Sequence, residues 1–477
     1  MISNAVKLKM IDIVGKENYQ DSKVDRLVYS YDATPLYQSF PDAVIAPRTT
    51  QEVANIVKIC NQNHIPIVPR GSGTNLSAGT CPTEGGLVLL FSNMNKIIEL
   101  DQENVTITVQ PGVITGEMSS YVEEKGLFYP PDPSSMKIST IGGNINENSG
   151  GLRGLKYGVT RDYVLALEAV MANGDIVRTG GKLAKDVAGY DLTRLLVGSE
   201  GTLAIITEAT LKLVPKPETK RTMLALYKDL EAAAKTVSKI LSSKIIPATL
   251  EFLDKATIQV VEEFSNIGLP TDVEAILLIE QDGKIDSVLD DMSVIESICK
   301  QEEAVSVQMA ETEEEANALV TARRSALSAL ARLKPTTVLE DATVPRSEIA
   351  TMVRAINDIA NKYNLRICTF GHAGDGNLHP TCPTDARDKE EIQRVELAFD
   401  EIFEKAIELG GTITGEHGVG VMKAPYLEWK IGKEGIAVMK AIKLALDPNQ
   451  IMNPGKVFAR DKRKRVVVSN ESYSTTV

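Results

Sequence analysis

The sequence pattern changes at Val214-Pro215-Lys216-Pro217-Glu218, and this change constrains the fold more than any other feature. Before it, short strand patterns alternate with glycine-rich segments. After it, strand and helix patterns alternate as far as about residue 445. Two prolines so close together interrupt helices and strands alike. Because 477 residues are also too many for one hydrophobic core, we predict two or three domains, with the first boundary here.

Composition narrows the class of protein. With 52 Lys and Arg against 64 Asp and Glu, the net charge of −12 argues against nucleic acid or an anionic membrane as main partner. No apolar run approaches the roughly 20 residues of a membrane span, and residues 1–10 show no signal-peptide pattern. The 5 cysteines are scattered, so we expect neither a zinc ribbon nor an iron–sulfur cluster. We predict a soluble cytoplasmic protein.

Local periodicity predicts the elements of both domains. The first domain shows strand patterns at 65–69, 86–90, 105–110, 164–171, 176–178 and 202–207. The second shows strand patterns at 222–227 and 274–279, and helical runs at 229–243, 286–300, 313–332, 347–363 and 388–409. This alternation favours an α+β arrangement in which helices pack on a sheet.

Three of the chain's 4 histidines fall in two short, glycine-flanked segments. His372 and His379 lie in the first, and His417 follows Glu416 in the second. Two imidazoles and a carboxylate leave coordination positions open, as in catalytic sites for zinc, manganese or iron. We therefore predict His372, His379 and Glu416 as ligands, brought inward by a glycine-rich loop, and His417 as a base. The alternative is that the histidines only satisfy buried hydrogen bonds around the turn at 375–376.

Several glycine-rich segments precede the boundary. The loop Pro69–Asn75 follows a strand, and successive N–H groups in such a loop can cradle phosphate oxygens. It is neither a P-loop nor a dinucleotide fingerprint, since Leu76 replaces the third glycine, and alone it is equally well a turn. Four more segments supply small hydroxyl and amide groups suited to a pyrophosphate and a flat heterocycle: 130–135, 140–151, 158–163 and 198–207.

The order of these motifs resembles a known family. Arg-Gly-x-Gly-Thr-Asn begins at Arg70, Pro-Pro-Asp-Pro at Pro130, Gly-Gly-Asn-x-x-x-Asn-x-Gly-Gly at Gly142 and Gly-x-Glu-Gly-Thr-Leu at Gly198. This resembles the FAD-binding domain of the vanillyl-alcohol oxidase / p-cresol methylhydroxylase superfamily. With the histidine motifs, residues 38–458 resemble its glycolate oxidase catalytic subunits and D-lactate dehydrogenases.

The resemblance implies an α+β fold with a FAD-binding domain of the p-cresol methylhydroxylase type and an α+β cap, the FAD-linked oxidase C-terminal domain. The implied boundaries are a helical segment at 1–37, the FAD-binding domain at 38–217, the cap with substrate and metal site at 218–445, a return to the FAD domain at 446–460, and a flexible tail at 461–477.

The resemblance also implies the residues that contact FAD. In some relatives a histidine in the first loop is bonded to the flavin, but the matching position here is Thr74, so FAD is expected to bind non-covalently. The implied contacts are Pro69, Arg70, Gly71, Ser72, Gly73, Thr74, Asn75, Pro131, Asp132, Ser134, Ser135, Gly142, Gly143, Asn144, Asn148, Ser149, Gly150, Glu200, Gly201, Ile205, Ile206 and Asn453.

The implied reaction is the oxidation of a small D-2-hydroxy acid, D-lactate or glycolate, to the 2-oxo acid. His417 and Arg323 are the implied catalytic residues, Arg323 binding the substrate carboxylate through its guanidinium. An ordinary ion pair is an equally good interpretation of Arg323. Relatives acting on longer dicarboxylates carry a lysine where this chain has Leu339, which favours a small monocarboxylate.

Three further possibilities stay open. Electrons must pass to a partner, either an iron–sulfur subunit, an electron-transferring flavoprotein or a quinone, and the chain could belong to an electron-bifurcating lactate dehydrogenase complex. It could also be a superfamily flavoenzyme with a substrate other than a hydroxy acid, or a non-catalytic flavin-binding subunit. The two-histidine, one-glutamate set argues against both of these last alternatives.

Overall fold

The structure is a computed structural model that describes residues 2–35 and 37–458. The predicted tail at 461–477 lies outside the described residues. Within those ranges, no helix is both long and apolar enough to cross a membrane.

The N-terminal half contains two main sheets and a short ribbon. The first sheet has the strand order β1-β2-β4-β3 and the second the order β5-β6-β10-β8-β9, while β7 and β11 form the ribbon. The strands are β1 (Tyr19–Gln20), β2 (Ala43–Ile45), β3 (Ile67–Arg70), β4 (Leu87–Leu90), β5 (Ile97–Asp101), β6 (Thr106–Val109), β7 (Leu127–Phe128), β8 (Val164–Met171), β9 (Ile176–Gly180), β10 (Ala204–Lys212) and β11 (Val214–Pro215).

The C-terminal half is built on one large sheet of order β15-β12-β14-β13-β18-β19-β16, with β17 also paired to β19. Its strands are β12 (Thr219–Tyr227), β13 (Thr249–Asp254), β14 (Ala275–Gly283), β15 (Ser306–Met309), β16 (Thr336–Leu339), β17 (Ala342–Thr343), β18 (Cys368–His372) and β19 (Asn377–Thr384). All neighbouring strands in this sheet are antiparallel.

Helices surround the sheets in both halves. In the first half they are α1 (Asn4–Val14), α2 (Lys23–Val28), α3 (Thr50–Gln62), α4 (Thr115–Glu123), α5 (Ile141–Glu147), α6 (Gly154–Tyr157) and α7 (Leu192–Leu196). In the second they are α8 (Leu230–Ser242), α9 (Lys255–Ser265), α10 (Ile285–Gln301), α11 (Glu313–Arg324), α12 (Ala326–Leu330), α13 (Ile349–Lys362), α14 (Lys389–Glu408) and α15 (Leu427–Leu446).

Side-chain alternation explains why the large sheet is covered on both faces. On β12, Met223 and Ala225 pack into the core beneath α8, α10, α13 and α14, whereas Leu224 and Leu226 pack into the core beneath α9, α11 and α12. Successive side chains of a strand point to opposite faces, so an uninterrupted apolar strand requires two covering layers. The prediction of helices packed on a sheet is confirmed.

One predicted helical run is interrupted. The sequence pattern predicts a single helix over 313–332, but the structure separates α11 from α12 at Ser325. The Ser325 side chain donates a hydrogen bond to the carbonyl of Ala322 at 2.7 Å. A serine hydroxyl that bonds the backbone of the preceding turn competes with helix continuation.

The chain returns to the first half after α15. Met452 forms a parallel bridge to Ile67 on β3, and the Asn453 side chain donates to the carbonyls of Gly79 and Glu200. The Lys443 ammonium near the end of α15 donates to the carbonyl of Thr202 at 2.7 Å. These bonds join the two halves along the edge that holds the glycine-rich loops.

Candidate active site

His372 and His379 come together through a β-hairpin. His372 is the last residue of β18, and Phe370, two residues earlier, pairs with His379 on β19. Residues two apart on a strand share a face, so the two histidines are diagonal neighbours on one face of the hairpin. Their ring centroids lie 5.2 Å apart. The prediction that a glycine-rich loop carries both histidines is therefore wrong, because His372 lies on β18 and His379 on β19.

The segment 414–417 carries Glu416 and His417, and a buried carboxylate fixes its backbone. Asp341 Oδ2 accepts hydrogen bonds from the N–H groups of Gly415, Glu416 and His417 at 2.7, 3.0 and 3.1 Å. The hydroxyl of Thr414 donates to the same oxygen. Burial raises the pKa of Asp341, but the Lys423 ammonium and the hydrogen bond from the N–H of Glu416 outweigh burial and hold it well below its ordinary value.

Three donor atoms converge on one point. Glu416 Oε1 lies 3.4 Å from the Nε2 atoms of both His372 and His379. Ligands about 2.1 Å from a tetrahedral ion are separated by roughly 3.4 Å, so this donor set fits a divalent metal. Asp341, His379 and His417 form a second close group. Because Asp341 Oδ2 already accepts several bonds, the set with Glu416 is the better ligand set.

A second buried carboxylate orients His372. Its Nδ1 donates to Glu251 Oε1 at 2.6 Å, which leaves Nε2 directed toward Glu416. Burial lowers the pKa of His372, but the charges of Glu251 and Glu416 outweigh it, so that the pKa rises well above its ordinary value. Such carboxylate–histidine pairs behind a metal ligand fix the tautomer and raise ligand basicity.

The other two rings are held as neutral imidazoles. Burial lowers the pKa of His379 to about 3, and burial likewise lowers the pKa of His417. The two rings stack at 5.1 Å between centroids. Burial raises the pKa of Glu416, but the charge of His372 and its hydrogen bond outweigh burial, and the pKa falls to about 2. A neutral ring keeps a lone pair, which both ligation and proton acceptance require.

A cavity of about 480 Å³ joins this cluster to the glycine-rich loops. A smaller cavity of about 50 Å³ adjoins it and shares Gly71, Thr80, Thr140, Gly143 and Glu147 with it. The predicted site residues that line one or both cavities are Pro69, Arg70, Gly71, Ser72, Gly73, Thr74, Asn75, Ser134, Ser135, Gly142, Gly143, Asn144, Ser149, Gly150, Glu200, Gly201, Ile206, Asn453, Arg323, His372, His379, Glu416 and His417.

The remaining four predicted FAD contacts do not line either cavity. Pro131 is buried beside Asp132, whose carboxylate accepts from Arg324 at 2.9 Å. Asn148 ends α5 in the left-handed conformation, and its side chain accepts from the backbone of Arg161. Ile205 packs into the core on the face of β10 opposite to Ile206. The structure therefore places the side chains of these four residues behind the cavity wall.

The residues of the glycine-rich loops fit a large planar cofactor with phosphates. A Cβ at Gly71 would lie 2.2 Å from Thr140 Oγ1, and one at Gly142 would lie 2.5 Å from Pro111, so both segments pass too close for side chains. The buried Asn453 Oδ1, on the wall of the smaller cavity, lacks a hydrogen-bond partner among the described residues. Buried polar atoms are normally hydrogen-bonded, so an unpaired amide oxygen on a cavity wall fits a polar ligand.

Arg323 lines the large cavity but is also part of the buried carboxylate network. Its guanidinium lies 2.5 Å from Glu251 Oε2 and 4.8 Å from the ring centre of Phe370. Arg323 therefore does form an ion pair, as the alternative interpretation predicted, and this pair occupies one side of its guanidinium. Its Nε is buried without a hydrogen-bond partner in the described part of the chain. Arginine has five N–H donors, so a carboxylate on the cavity side remains a suitable second partner.

Sequence reasoning missed Glu251, Asp341 and Glu147. Glu251 lies within the apolar strand β13, and Asp341 follows β16 among buried residues. For Glu251 the sequence does carry a signal, since an acid inside an apolar strand pattern would be costly to bury without a partner or a role. Glu147 lines both cavities, but sequence reasoning placed it only within a glycine-rich motif.

Fold and cavity together define a two-domain protein of the flavoenzyme class. Residues 41–180 match the family model described as "FAD binding domain", and residues 216–457 match "FAD linked oxidases, C-terminal domain". The chain belongs to the FAD-linked oxidases, and the predicted two-part architecture is confirmed.

Relatives support the same family. The chain is 73% identical to "Glycolate oxidase subunit GlcD" of Bacillus subtilis (strain 168), over 98% of this chain and 99% of that protein. It is 36% identical to "D-lactate dehydrogenase" of Anaerostipes hadrus, over 93% and 94% of the two chains. A substrate-bound structure of p-cresol methylhydroxylase superposes with a TM-score of 0.80 at 19% identity, covering 96% and 97%, which shows a shared fold.

Proposed function

We propose that the protein oxidises a small D-2-hydroxy acid, D-lactate or glycolate, to the 2-oxo acid with FAD as the first electron acceptor. One observation carries this proposal: the His372–His379–Glu416 cluster and His417 line the same cavity as the glycine-rich loops. The relatives named glycolate oxidase subunit and D-lactate dehydrogenase support the substrate class.

FAD, when bound without a covalent bond along the loop that contains Thr74, supplies the acceptor for the hydride from the substrate Cα. A zinc, manganese or iron ion, when bound, supplies a Lewis acid toward the substrate oxygens. His372, His379 and Glu416 would hold that ion, since their donor atoms all lie within 4.8 Å of one another.

His417 would remove the proton of the substrate hydroxyl. Its Nε2 lies 3.8 Å from Glu416 Oε1, so the base is placed directly beside the ligand set. Its side chain is 11% exposed, and it lines the large cavity, so a substrate there can reach it while bulk water is largely excluded. General bases of this kind contribute about 10²–10⁴-fold to rate.

Arg323 would bind the substrate carboxylate, with Glu251 holding the far side of the guanidinium. The neighbouring cavity wall includes the apolar Leu327, Leu339 and Phe370, together with Arg324, whose guanidinium is paired with Asp132. A second substrate carboxylate against the three apolar side chains would lack a partner, and burying an unpaired charge costs more than the roughly 2–7 kcal/mol of an unpaired neutral polar group. A small monocarboxylate is therefore the favoured substrate.

Electrons would leave through a separate acceptor. Each of the 5 cysteines is free and buried, so we infer that an iron–sulfur subunit, an electron-transferring flavoprotein or a quinone takes the electrons. Unpaired thiols also agree with a cytoplasmic location. Membership in an electron-bifurcating complex stays a prediction.

The test is anaerobic bleaching of the flavin absorbance with a panel of D- and L-2-hydroxy acids, comparing the unmodified protein, His417→Ala and His64→Ala. His64 is exposed and is the remaining histidine of the chain, so its replacement is a matched control. We expect glycolate or D-lactate to bleach the flavin, and His417→Ala to slow bleaching by about 10²–10⁴-fold. Failure of every 2-hydroxy acid to bleach the flavin, or normal bleaching by His417→Ala, would contradict the proposal.

A further inference from the structure

The backbone after His417 lies where the two domains meet. We call residues 417–421 the His417 turn. Its glycines adopt positive φ, with Gly418 at 79° and Gly420 at 51°. A Cβ at Gly420 would lie 2.0 Å from the carbonyl oxygen of Ser77, so the turn packs directly on the FAD-binding domain.

Ser77 holds the carbonyl side of the His417 turn. Its hydroxyl is fully buried and lies 2.8 Å from the carbonyl oxygen of His417 and 3.1 Å from that of Gly418. The Ser77 carbonyl in turn accepts from the N–H of Val421 at 2.8 Å. One residue of the FAD-binding domain therefore brackets the turn at both ends.

Glu200 holds the amide side of the same turn. Its Oε1 accepts from the N–H of Val419 at 2.8 Å, and its Oε2 accepts from the N–H of Gly420 at 2.7 Å. Glu200 is buried, and its two carboxylate oxygens are thus committed to the cap backbone. Glu200, which the resemblance implied as a FAD contact, also lines the smaller cavity, so it lies between that cavity and the His417 turn.

His417 is consequently fixed from both domains. Its N–H donates to Asp341 of the cap, whereas its carbonyl accepts from Ser77 of the FAD-binding domain. Catalytic side chains must be held within roughly 0.5 Å of their productive position, and a displacement of about 1 Å can cost about 10²-fold in rate. Because the flavin loops lie on one domain and the ligands on the other, a base at this seam needs anchors in both.

We propose that Ser77 and Glu200 are positioning residues that set the place of His417 relative to the flavin. This inference rests on the proposed role of His417 as base. Neither residue needs to touch substrate, since both act through the backbone of the His417 turn. Removing either one loosens the base while the ligand set, held by Asp341 and Glu251, keeps its geometry.

The experiment compares Ser77→Ala and Glu200→Gln with the unmodified protein. Ser119→Ala is the matched control, because Ser119 is buried and its hydroxyl has no hydrogen-bond partner among the described residues. Stopped-flow flavin reduction by glycolate and by D-lactate, in H₂O and in D₂O, gives the rate per bound flavin. Hydrogen exchange read by mass spectrometry on peptides that span the His417 turn follows the amides held by Glu200.

We expect Ser77→Ala and Glu200→Gln to reduce flavin roughly 10- to 100-fold more slowly, with substrate Kd unchanged and a larger solvent isotope effect, as for a misplaced base. Glu200→Gln should also speed exchange of the turn amides. A purely structural role would lower flavin content or thermal stability without changing the isotope effect.

A normal rate per bound flavin in Ser77→Ala would overturn the proposal, even if Glu200→Gln fails to fold. So would a slower rate with an unchanged isotope effect. If His417→Ala itself reduces flavin normally, the role of His417 is wrong and the inference falls with it. If His417→Ala is inactive while Ser77→Ala is normal, only the inference about positioning is wrong.

Discussion

Glu251 accepts a hydrogen bond from Nδ1 of His372 at 2.6 Å, although 121 positions separate the two residues in the sequence. The same carboxylate lies 2.5 Å from Arg323 through its other oxygen. Glu251 thus joins a candidate metal ligand to the candidate substrate-binding arginine, and it does so from a fully buried position on β13.

Removing the charge of Glu251 should weaken metal binding. In Glu251→Gln the partner of His372 Nδ1 becomes a neutral amide, so the imidazole loses an orienting charge, and we expect metal affinity to fall about 10- to 100-fold. Competition with a chelator measures the affinity. Glu280→Gln is the matched control, because Glu280 is a buried glutamate on the neighbouring β14 that pairs with Lys220. Equal metal affinity in Glu251→Gln and the unmodified protein would remove Glu251 from the site.

The effects of replacing Arg323 and Glu251 on the free energy of unfolding should not be additive. Arg323→Met leaves a buried carboxylate short of one cationic partner, and we expect the free energy of unfolding to fall by about 3 kcal/mol. Adding Glu251→Gln should recover part of this loss. The single Trp429 packs on the cap core and reports urea unfolding by fluorescence.

The matched control for that cycle is Arg324→Met. Arg324 is more exposed than Arg323. When Arg324 is replaced, its partner Asp132 still has a second arginine, Arg153, at 3.7 Å. A smaller loss is therefore expected. Strictly additive effects of Arg323→Met and Glu251→Gln would show that the two side chains do not interact.

Metal removal should stop the oxidation of substrate without releasing the flavin. The ligands belong to the cap, whereas the glycine-rich loops belong to the FAD-binding domain. Dialysis against a chelator should therefore abolish flavin reduction by 2-hydroxy acid while the flavin absorbance remains. Adding back zinc, manganese or ferrous iron one at a time identifies the active ion. Full flavin reduction in protein shown by elemental analysis to be metal-free would contradict the assignment of His372, His379 and Glu416.

Close backbone packing should make the affinity for FAD depend on Gly71. In Gly71→Ala the new Cβ would meet Thr140 Oγ1 at 2.2 Å. Relief of such a contact costs about 1–3 kcal/mol, which corresponds to roughly 5- to 150-fold in the Kd for FAD. Fluorescence titration of apoprotein with FAD measures it. Gly181→Ala, whose Cβ would have no neighbour closer than 3.6 Å, should bind FAD normally. Equal affinity in the two variants would place the cofactor elsewhere.

Local pattern was sufficient for most helices of the cap. Regularly spaced apolar residues on α8, α10, α13 and α14 face one core, and the predicted ranges lie within a few residues of the observed ones. The hairpin β18–β19 was predicted as a loop. Glycines at 371, 374 and 376 obscured its strand pattern, although Gly371 is required by the close approach of Asn377.

For the candidate site, the sequence identifies residues that lie in short motifs but not residues that act on distant parts of the chain. The histidine motifs and glycine-rich loops are local and could be found in the sequence. Glu251 and Asp341 could not be assigned, because each acts on residues more than 70 positions away. Ile205 and Ile206 were both implied as flavin contacts, but strand alternation directs only Ile206 to the cavity.

A buried carboxyl away from the cavity should give the cap a measurable pH dependence. Asp254 caps α9 and accepts from the N–H groups of Thr257 and Thr369. Burial raises its pKa from 3.8 to about 6, despite these bonds. The folded protein therefore holds this proton more tightly than the unfolded chain, so the contribution of Asp254 is greatest below pH 4 and is lost as pH rises through 6.

The magnitude follows from a pKa difference of about two units, or roughly 3 kcal/mol. Asp254→Asn cannot titrate, so relative to the unmodified protein its free energy of unfolding should improve between pH 4 and pH 7, apart from a constant loss for one missing acceptor. Urea unfolding followed by Trp429 fluorescence across this range measures the difference. A difference between the two proteins that stays constant with pH would show that folding does not shift the pKa of Asp254.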